Sequence, residues 1–480
     1  MERLFDRLAT YSAGDIYPCH MPGHKRRTCG QLPEELCSLD ITEIDGFDNL
    51  HQPEGILRDL QKKAARLCGA EESFYLVNGS TAGILSAVSA AVPFGGHILM
   101  ARNCHKSAYH GAYLRNLKLS YLYPERLGEF DLLEAVTAGQ VRDALEKEPD
   151  IGAVLVVSPT YEGRIADTEE IARVVHARGL PLIVDEAHGA HLGLNGRVHK
   201  NSCQAGADLV IQSTHKTLPA LTQTALLHVN GQLINRELLK RFLHIYQTSS
   251  PSYPLMASID NALCYVEENG EEAYEAFERH YKKLLTNLRR CRYLRFLPFD
   301  REKQDIGKLV ISVKGTSLTG KQLYDLLLKK YHLQVEMAAD SYVLAMFTLG
   351  DSPEGYARLE AALLEIDGEM AAVPGVIPDK KQNEPASPGV SGKEIPVACL
   401  RLAQAWDREK EALALEDSPG RLAGEFVNLY PPGIPLLVPG ERITRELCSN
   451  LICLLQQGLP VQGIEMHGGR PLIKVLVRSD

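Results

Sequence analysis

Leu209-Val210-Ile211-Gln212-Ser213-Thr214-His215-Lys216 is an apolar run that ends in small hydroxyls, an imidazole and an amine. Upstream, Leu182-Ile183-Val184-Asp185 is a second short apolar run that ends in a carboxylate and is followed by Glu186 and His188. Unbroken apolar runs of this length read as strands of a sheet covered on both faces. An amine at the end of one buried strand and an acid at the end of a neighbouring strand are the two groups needed to hold pyridoxal phosphate (PLP). The lysine makes the imine, and the acid pairs with the pyridinium nitrogen.

Working outward, residues 74–77 predict a buried strand, 78–81 a turn, and 82–91 a helix with Ser80 or Thr81 near its start. A strand is expected at 97–100, a helix from about 105 to 115, and a strand near 119–122. Residues 131–146 have helical periodicity, 153–157 are an all-apolar strand, and 168–178 are a helix capped by Thr168. Such β-α-β alternation predicts an α/β fold with a mostly parallel sheet, whose ligands sit beyond the carboxyl ends of the strands. Ser80, His105, Asp185 and Lys216 all fall just after predicted strands.

Beyond residue 254 the texture changes. Residues 255–288 are helical and charged, 309–313 and 334–347 supply strands for a smaller α/β unit, and 353–367 close it with a helix. Residues 371–395 are rich in Pro, Gly, Ser and Lys, the composition of a linker or exposed loop. The expected organisation is an N-terminal arm over 1–40, a large PLP-binding domain over 41–270, a small α/β domain over 271–370, that linker, and a C-terminal module over 396–480.

Composition narrows the function. A net charge of −9 and a pI of about 6.0 leave no basic field for nucleic acid or an anionic membrane. The longest apolar stretch, near 83–100, is broken by Pro93, Gly95, Gly96 and His97 and cannot span a bilayer. Eleven cysteines are scattered singly without a C-x-x-C pair, and residues 1–15 do not form a signal peptide, so a cytoplasmic location is expected.

PLP brings a phosphate dianion, a pyridine nitrogen and an aldehyde. Gly79-Ser80-Thr81 at a helix start offers free backbone N–H groups, the positive end of the helix dipole and two hydroxyls for the phosphate. His105 is placed to stack on the ring and fix its plane. Taken singly, these residues also fit an ordinary capped helix, a solvated acid and a surface cation. Their order along the chain carries the argument.

The series Met21-Pro22-Gly23-His24-Lys25, Asn78-Gly79-Ser80-Thr81, Asn103-Cys104-His105-Lys106-Ser107, Asp185-Glu186-Ala187-His188-Gly189-Ala190-His191, Ser213-Thr214-His215-Lys216, Thr248-Ser249-Ser250-Pro251-Ser252-Tyr253 and Tyr430-Pro431-Pro432-Gly433-Ile434-Pro435 resembles the Orn/Lys/Arg decarboxylases. These are fold-type-I PLP enzymes with an aspartate-aminotransferase-like large domain. The resemblance implies Lys216 as the Schiff-base lysine, Asp185 as partner of the pyridine nitrogen, and His105 stacked on the ring. It also implies Ser80, Thr81, Ser213 and His215 around the phosphate, with His188 beside the cofactor. Thr248 matches a position that reaches the phosphate of a neighbouring subunit, which implies a homodimer or higher oligomer. The chain is similar to the compact branch that lacks an N-terminal wing domain.

The implied reaction is decarboxylation of a basic amino acid, with arginine ranked first, then lysine, then ornithine. Either His188 or Lys216 could deliver the proton that replaces CO2. Glu441 is a candidate for the far end of the substrate pocket, and equally an exposed acid on a turn. No metal is expected. Two other classes stay open: a different PLP reaction, such as transamination or aldol cleavage, and an inactive regulatory relative. Gly315-Thr316-Ser317-Leu318-Thr319-Gly320-Lys321 has the setting of a nucleotide-binding loop, but Gln322 replaces the Mg²⁺-binding hydroxyl. Thr319 and Gln322 instead predict a capping box.

Overall fold

Seven short strands, β1 (Glu72–Leu76), β2 (His97–Ala101), β3 (Lys118–Leu122), β4 (Ala153–Val157), β5 (Leu182–Asp185), β6 (Leu209–Gln212) and β7 (Ala225–Val229), make the main sheet. The structure is a computed structural model and describes residues 2–27, 33–370 and 396–478. The strand order is β1-β7-β6-β5-β4-β2-β3. From β3 to β6 every pairing is parallel, whereas β7 runs antiparallel to both β6 and β1. Strands β2, β5, β6 and β7 are buried at every residue. Their apolar sequences follow from that, since neither face meets water.

The register puts Asp185 at the end of β5, opposite Val157 of β4 and Ile211 of β6. Helix α1 (Gly79–Ala91) follows β1, helix α2 (Lys106–Leu114) follows β2, and the one-turn helix α3 (Thr214–Thr217), which carries Lys216, follows β6. The expected helix over 131–146 is corrected. A hairpin of Arg126–Leu127 with Leu132–Leu133 comes first, and the helix spans only Ala138–Lys147. Asp131 sits at φ +57, and Phe130 and Leu132 are drawn into a core with Val310 and Leu344 of the second sheet. The helix starts where Thr137 and Gln140 form a reciprocal capping box. Helix Thr168–His176 is capped by Asp167, whose carboxylate accepts from the Glu170 N–H, one residue before the expected cap. Strand β7 and helix Arg236–Tyr246 lie where the sequence reading placed no element.

Helix α4 (Tyr253–Leu288) leads from the main sheet to a second one and runs without a break through residues 270 and 271. That sheet holds β8 (Arg295–Phe296), β9 (Lys308–Ser312), β10 (Met337–Ala338) and β11 (Tyr342–Met346), all antiparallel in the order β8-β9-β11-β10. Thr319 and Gln322 do form a capping box, and it opens the helix Gly320–Tyr331. Residues 410–476 build two three-stranded antiparallel sheets and the helix Arg445–Gln456 around a separate apolar cluster. The expected linker, 371–395, lies outside the described residues. Among those residues, no helix is long and apolar enough to cross a membrane.

Candidate active site

Two acids follow each other at the end of β5, and the structure separates their tasks. Glu186 accepts from the Ser202 N–H at 2.9 Å, the Ser202 hydroxyl at 2.6 Å and the Gln212 amide at 2.6 Å, and burial raises its carboxyl to about 7. Asp185 is also buried but, among the described residues, accepts only from the Ala187 N–H, at 3.2 Å. Burial raises its pKa, while the charge of Lys216 and that N–H act against the rise. A buried carboxylate with so few donors is suited to a cationic partner.

Lys216 lies across from it on α3. Burial lowers the amine's pKa, opposed by Asp185 and Glu336. Its Nζ is 3.0 Å from Nε2 of His188, whose ring is buried and meets Tyr161 edge-on at 4.6 Å between centroids. On the imidazole's far side, Nδ1 lies 2.8 Å from Nζ of Lys308, a buried lysine of β9. Burial first, then the charges of Lys308 and Lys216, hold His188 well below its ordinary range. Lys308, Tyr161 and Glu336 are absent from the sequence reading. The available signal was a lysine opening an otherwise apolar strand, Lys308-Leu309-Val310-Ile311.

His105 fills the capping role that the sequence allowed. Its Nδ1 accepts from the Ser107 N–H at 3.2 Å and so caps α2, which leaves Nε2 and the ring faces for other contacts. Burial and the nearby Lys216 charge push it down to about 4, so the ring is neutral. The Tyr430–Pro435 segment closes over it: the Lys106 N–H donates to the Gly433 carbonyl at 3.2 Å.

The start of α1 has no side-chain cap, because Asn78 Oδ1 is taken by the Thr248 N–H at 3.0 Å. Segment 221–224 joins this turn to α3. The Gly79 N–H donates to the Gln223 carbonyl at 2.8 Å, the Thr214 hydroxyl reaches Thr224 at 2.7 Å, and His215 Nδ1 lies 2.8 Å from the Thr224 carbonyl. Ser80 is half-buried, Thr81 and Thr248 are exposed, and the buried Ser213 hydroxyl has no hydrogen-bond partner among the described residues.

Glu441 stands apart from this group. It is 1% exposed rather than a surface acid, and its Oε2 accepts from Arg102 at 3.1 Å and from the Val438 N–H at 2.8 Å. None of its hydrogen bonds reaches Lys216, His188 or Asp185.

Residues 3–344 match the Orn/Lys/Arg decarboxylase major domain, and residues 398–465 match the C-terminal domain of the same family. The chain belongs to the Orn/Lys/Arg decarboxylase family. An arginine decarboxylase of Bacillus subtilis is 32% identical over 96% of this chain and 95% of its own length, and an uncharacterised protein of the same organism is 34% identical over the same shares. The constitutive lysine decarboxylase of Escherichia coli is 24% identical over 96% of this chain and 79% of its own. The Francisella novicida lysine decarboxylase superposes with a TM-score of 0.83 at 19% identity, over 99% of this chain and 81% of that one. The fold is therefore that of the fold-type-I PLP enzymes.

The decarboxylase family uses PLP, and the residues of this chain fit it. The N–H groups that follow Gly79 at the start of α1, which has no side-chain cap, and the Ser213 hydroxyl suit a phosphate. Asp185 suits a protonated ring nitrogen, and Lys216 supplies an amine whose pKa burial has already lowered.

Proposed function

We propose that this chain decarboxylates arginine in preference to lysine and ornithine, as a cytoplasmic homodimer that holds PLP between Lys216 and Asp185. The observation that carries the reading is the half-buried Lys216 beside the buried His188 and Asp185 in a chain 32% identical to an arginine decarboxylase over 96% of its length. Lysine decarboxylases are more distant, at 24% identity or below. When bound, PLP supplies an aldehyde that captures the substrate amine and a ring that accepts the electron pair left by CO2.

The chain's own residues do the rest. Asp185 holds negative charge where the ring nitrogen would lie. Lys216, its pKa lowered by burial, presents a neutral amine more readily than a surface lysine does. His105 lends a neutral ring face, and α1 with Ser80, Thr81, Ser213 and His215 holds the phosphate. Enclosure by the 430–435 segment orients the substrate and keeps water away. The exposed Thr248, tied to Asn78 at the start of α1, supports a dimer whose partner completes the phosphate site. The ten cysteines among the described residues are all free, in keeping with a reducing compartment.

The test is product analysis after incubation with arginine, lysine and ornithine side by side. Agmatine and CO2 should form with the highest kcat/KM, and Lys216→Ala should lose the visible cofactor absorbance together with roughly 10³-fold or more of the rate. Faster release of CO2 from lysine or ornithine would overturn the substrate assignment. Amino transfer without CO2 would overturn the reaction class.

A further inference from the structure

Lys308 is 1% exposed, and its ammonium has two partners among the described residues, His188 Nδ1 at 2.8 Å and the Met346 sulfur at 3.2 Å. Neither is a carboxylate. A buried lysine without a directly bonded acid is costly to keep, and such residues gather at working sites. Its placement is built in. Lys308 opens β9, its carbonyl accepts from the Tyr281 hydroxyl at 3.0 Å, and its stem fills the space beside Gly163, where a Cβ would meet Lys308 Cγ at 2.5 Å. Gly163 also sits at φ +91, so two constraints reserve the position for glycine.

A neutral imidazole has one N–H and one lone pair, and an ammonium can only donate. With Lys308 donating to Nδ1, the His188 proton is confined to Nε2, which lies 3.0 Å from Lys216 Nζ. A neutral Nζ can accept that proton, and burial shifts Lys216 toward this form. The contact with Lys308 thus bears on the histidine tautomer and, through it, on the hydrogen bond to Lys216.

We propose that Lys308 is a positioning residue that holds the His188 proton on Nε2, facing Lys216, as the proton that replaces CO2. The inference rests on the decarboxylase reading for the proton's destination, though not for the tautomer. The balance is simple. As the Nε2 proton leaves, Lys308 passes one to Nδ1 and the imidazole stays neutral; when solvent returns a proton to Nε2, Nδ1 gives its own back to Lys308, so each turnover takes up one proton and restores the starting tautomer.

Groups from several elements face Lys308: Asp305 on its own segment, His188 and Lys216 from the main sheet, Glu162 from the loop after β4, and Glu336 before β10. Burial lowers the amine to about 8, with the acids opposing. Above that pH the ammonium is lost, the amine can accept from Nδ1–H, and the tautomer is released.

The test uses full-length protein with ¹⁵N-labelled histidine, with and without PLP, and His188→Gln to assign the signal. Wild type should show a protonated Nε2 and a bare Nδ1 in both states. Lys308→Met should mix the tautomers, reduce kcat about 10²-fold with KM changed less than about twofold, and remove the alkaline fall of kcat near pH 8. Lys308→Gln, which keeps an N–H donor, should restore the tautomer and part of kcat. An Nδ1–H tautomer in wild type, which needs no variant to fold, or an unchanged tautomer in Lys308→Met overturns the proposal. A wild-type Nε2–H tautomer with no CO2 release from any basic amino acid would instead overturn the decarboxylase reading.

Discussion

Arg102, just past β2, and Glu441 of the C-terminal module form an ion pair at 3.1 Å, with side-chain exposures of 11% and 1%. The same guanidinium donates to the carbonyls of Pro435 at 2.6 Å and Leu436 at 3.3 Å. It thus ties the segment that covers His105 to the edge of the main sheet. Removing one member strands the other's charge in the interior, which costs about 3–5 kcal/mol. Glu441→Ala should lower the urea midpoint accordingly, and the double variant with Arg102→Ala should cost less than the sum of the two singles. The order of preference among arginine, lysine and ornithine should stay the same. A reordered preference at unchanged stability would return Glu441 to the substrate pocket.

Gly433 controls how closely that segment approaches the site. It sits at φ +80, and a Cβ there would lie 3.2 Å from His105 Nε2. Gly433→Ala combines left-handed strain with a displaced imidazole, together about 1–2 kcal/mol. The expected result is a roughly tenfold weaker hold on PLP, read by titrating the cofactor absorbance. His105→Asn, which can still cap α2, should weaken PLP without unfolding the helix.

Asp185 should cost the cofactor-free protein stability. In the chain alone it is a buried carboxylate with one backbone donor, and burial raises its pKa. Asp185→Asn removes the buried charge, so the cofactor-free protein should gain about 1–3 kcal/mol of unfolding free energy. Activity should fall roughly 10²-fold or more, because the ring nitrogen loses its counter-charge. A variant less stable than wild type without cofactor would show that the carboxylate is better solvated than its contacts indicate.

Acid stability should follow the buried histidines. His228 of β7 is fully buried between the Ser73 hydroxyl at 2.6 Å and the Gln212 amide oxygen at 3.0 Å, and burial lowers it to about 3. Unfolded, it titrates near pH 6.5. Between those values the unfolded chain binds a proton that the folded chain does not, so stability rises with pH across the window and is lost as pH falls. The slope is about 1.4 kcal/mol per pH unit for one such group. Denaturant curves from pH 7 to 4.5 should be shallower in pH for His228→Gln, and parallel profiles would contradict the assignment.

The parallel body of the sheet and the order of the chemical groups along it were legible in the sequence, whereas the antiparallel β7 was not. Strands buried on both faces must be apolar throughout, so β4, β5 and β6 announced themselves, and the groups at their ends, Asp185 and Lys216, could be read in order. Local capping was legible too, as at Thr319 and Gln322. The tertiary structure alone decided what crosses between units. It set Lys308 behind His188, Arg102 against Glu441, and Phe130 and Leu132 into a core that breaks an expected helix. These contacts join residues about 120 and 339 positions apart in the first two cases. Periodicity reports only the nearest turns and pleats, whereas the environment of a buried charge is fixed by whichever distant segment packs against it.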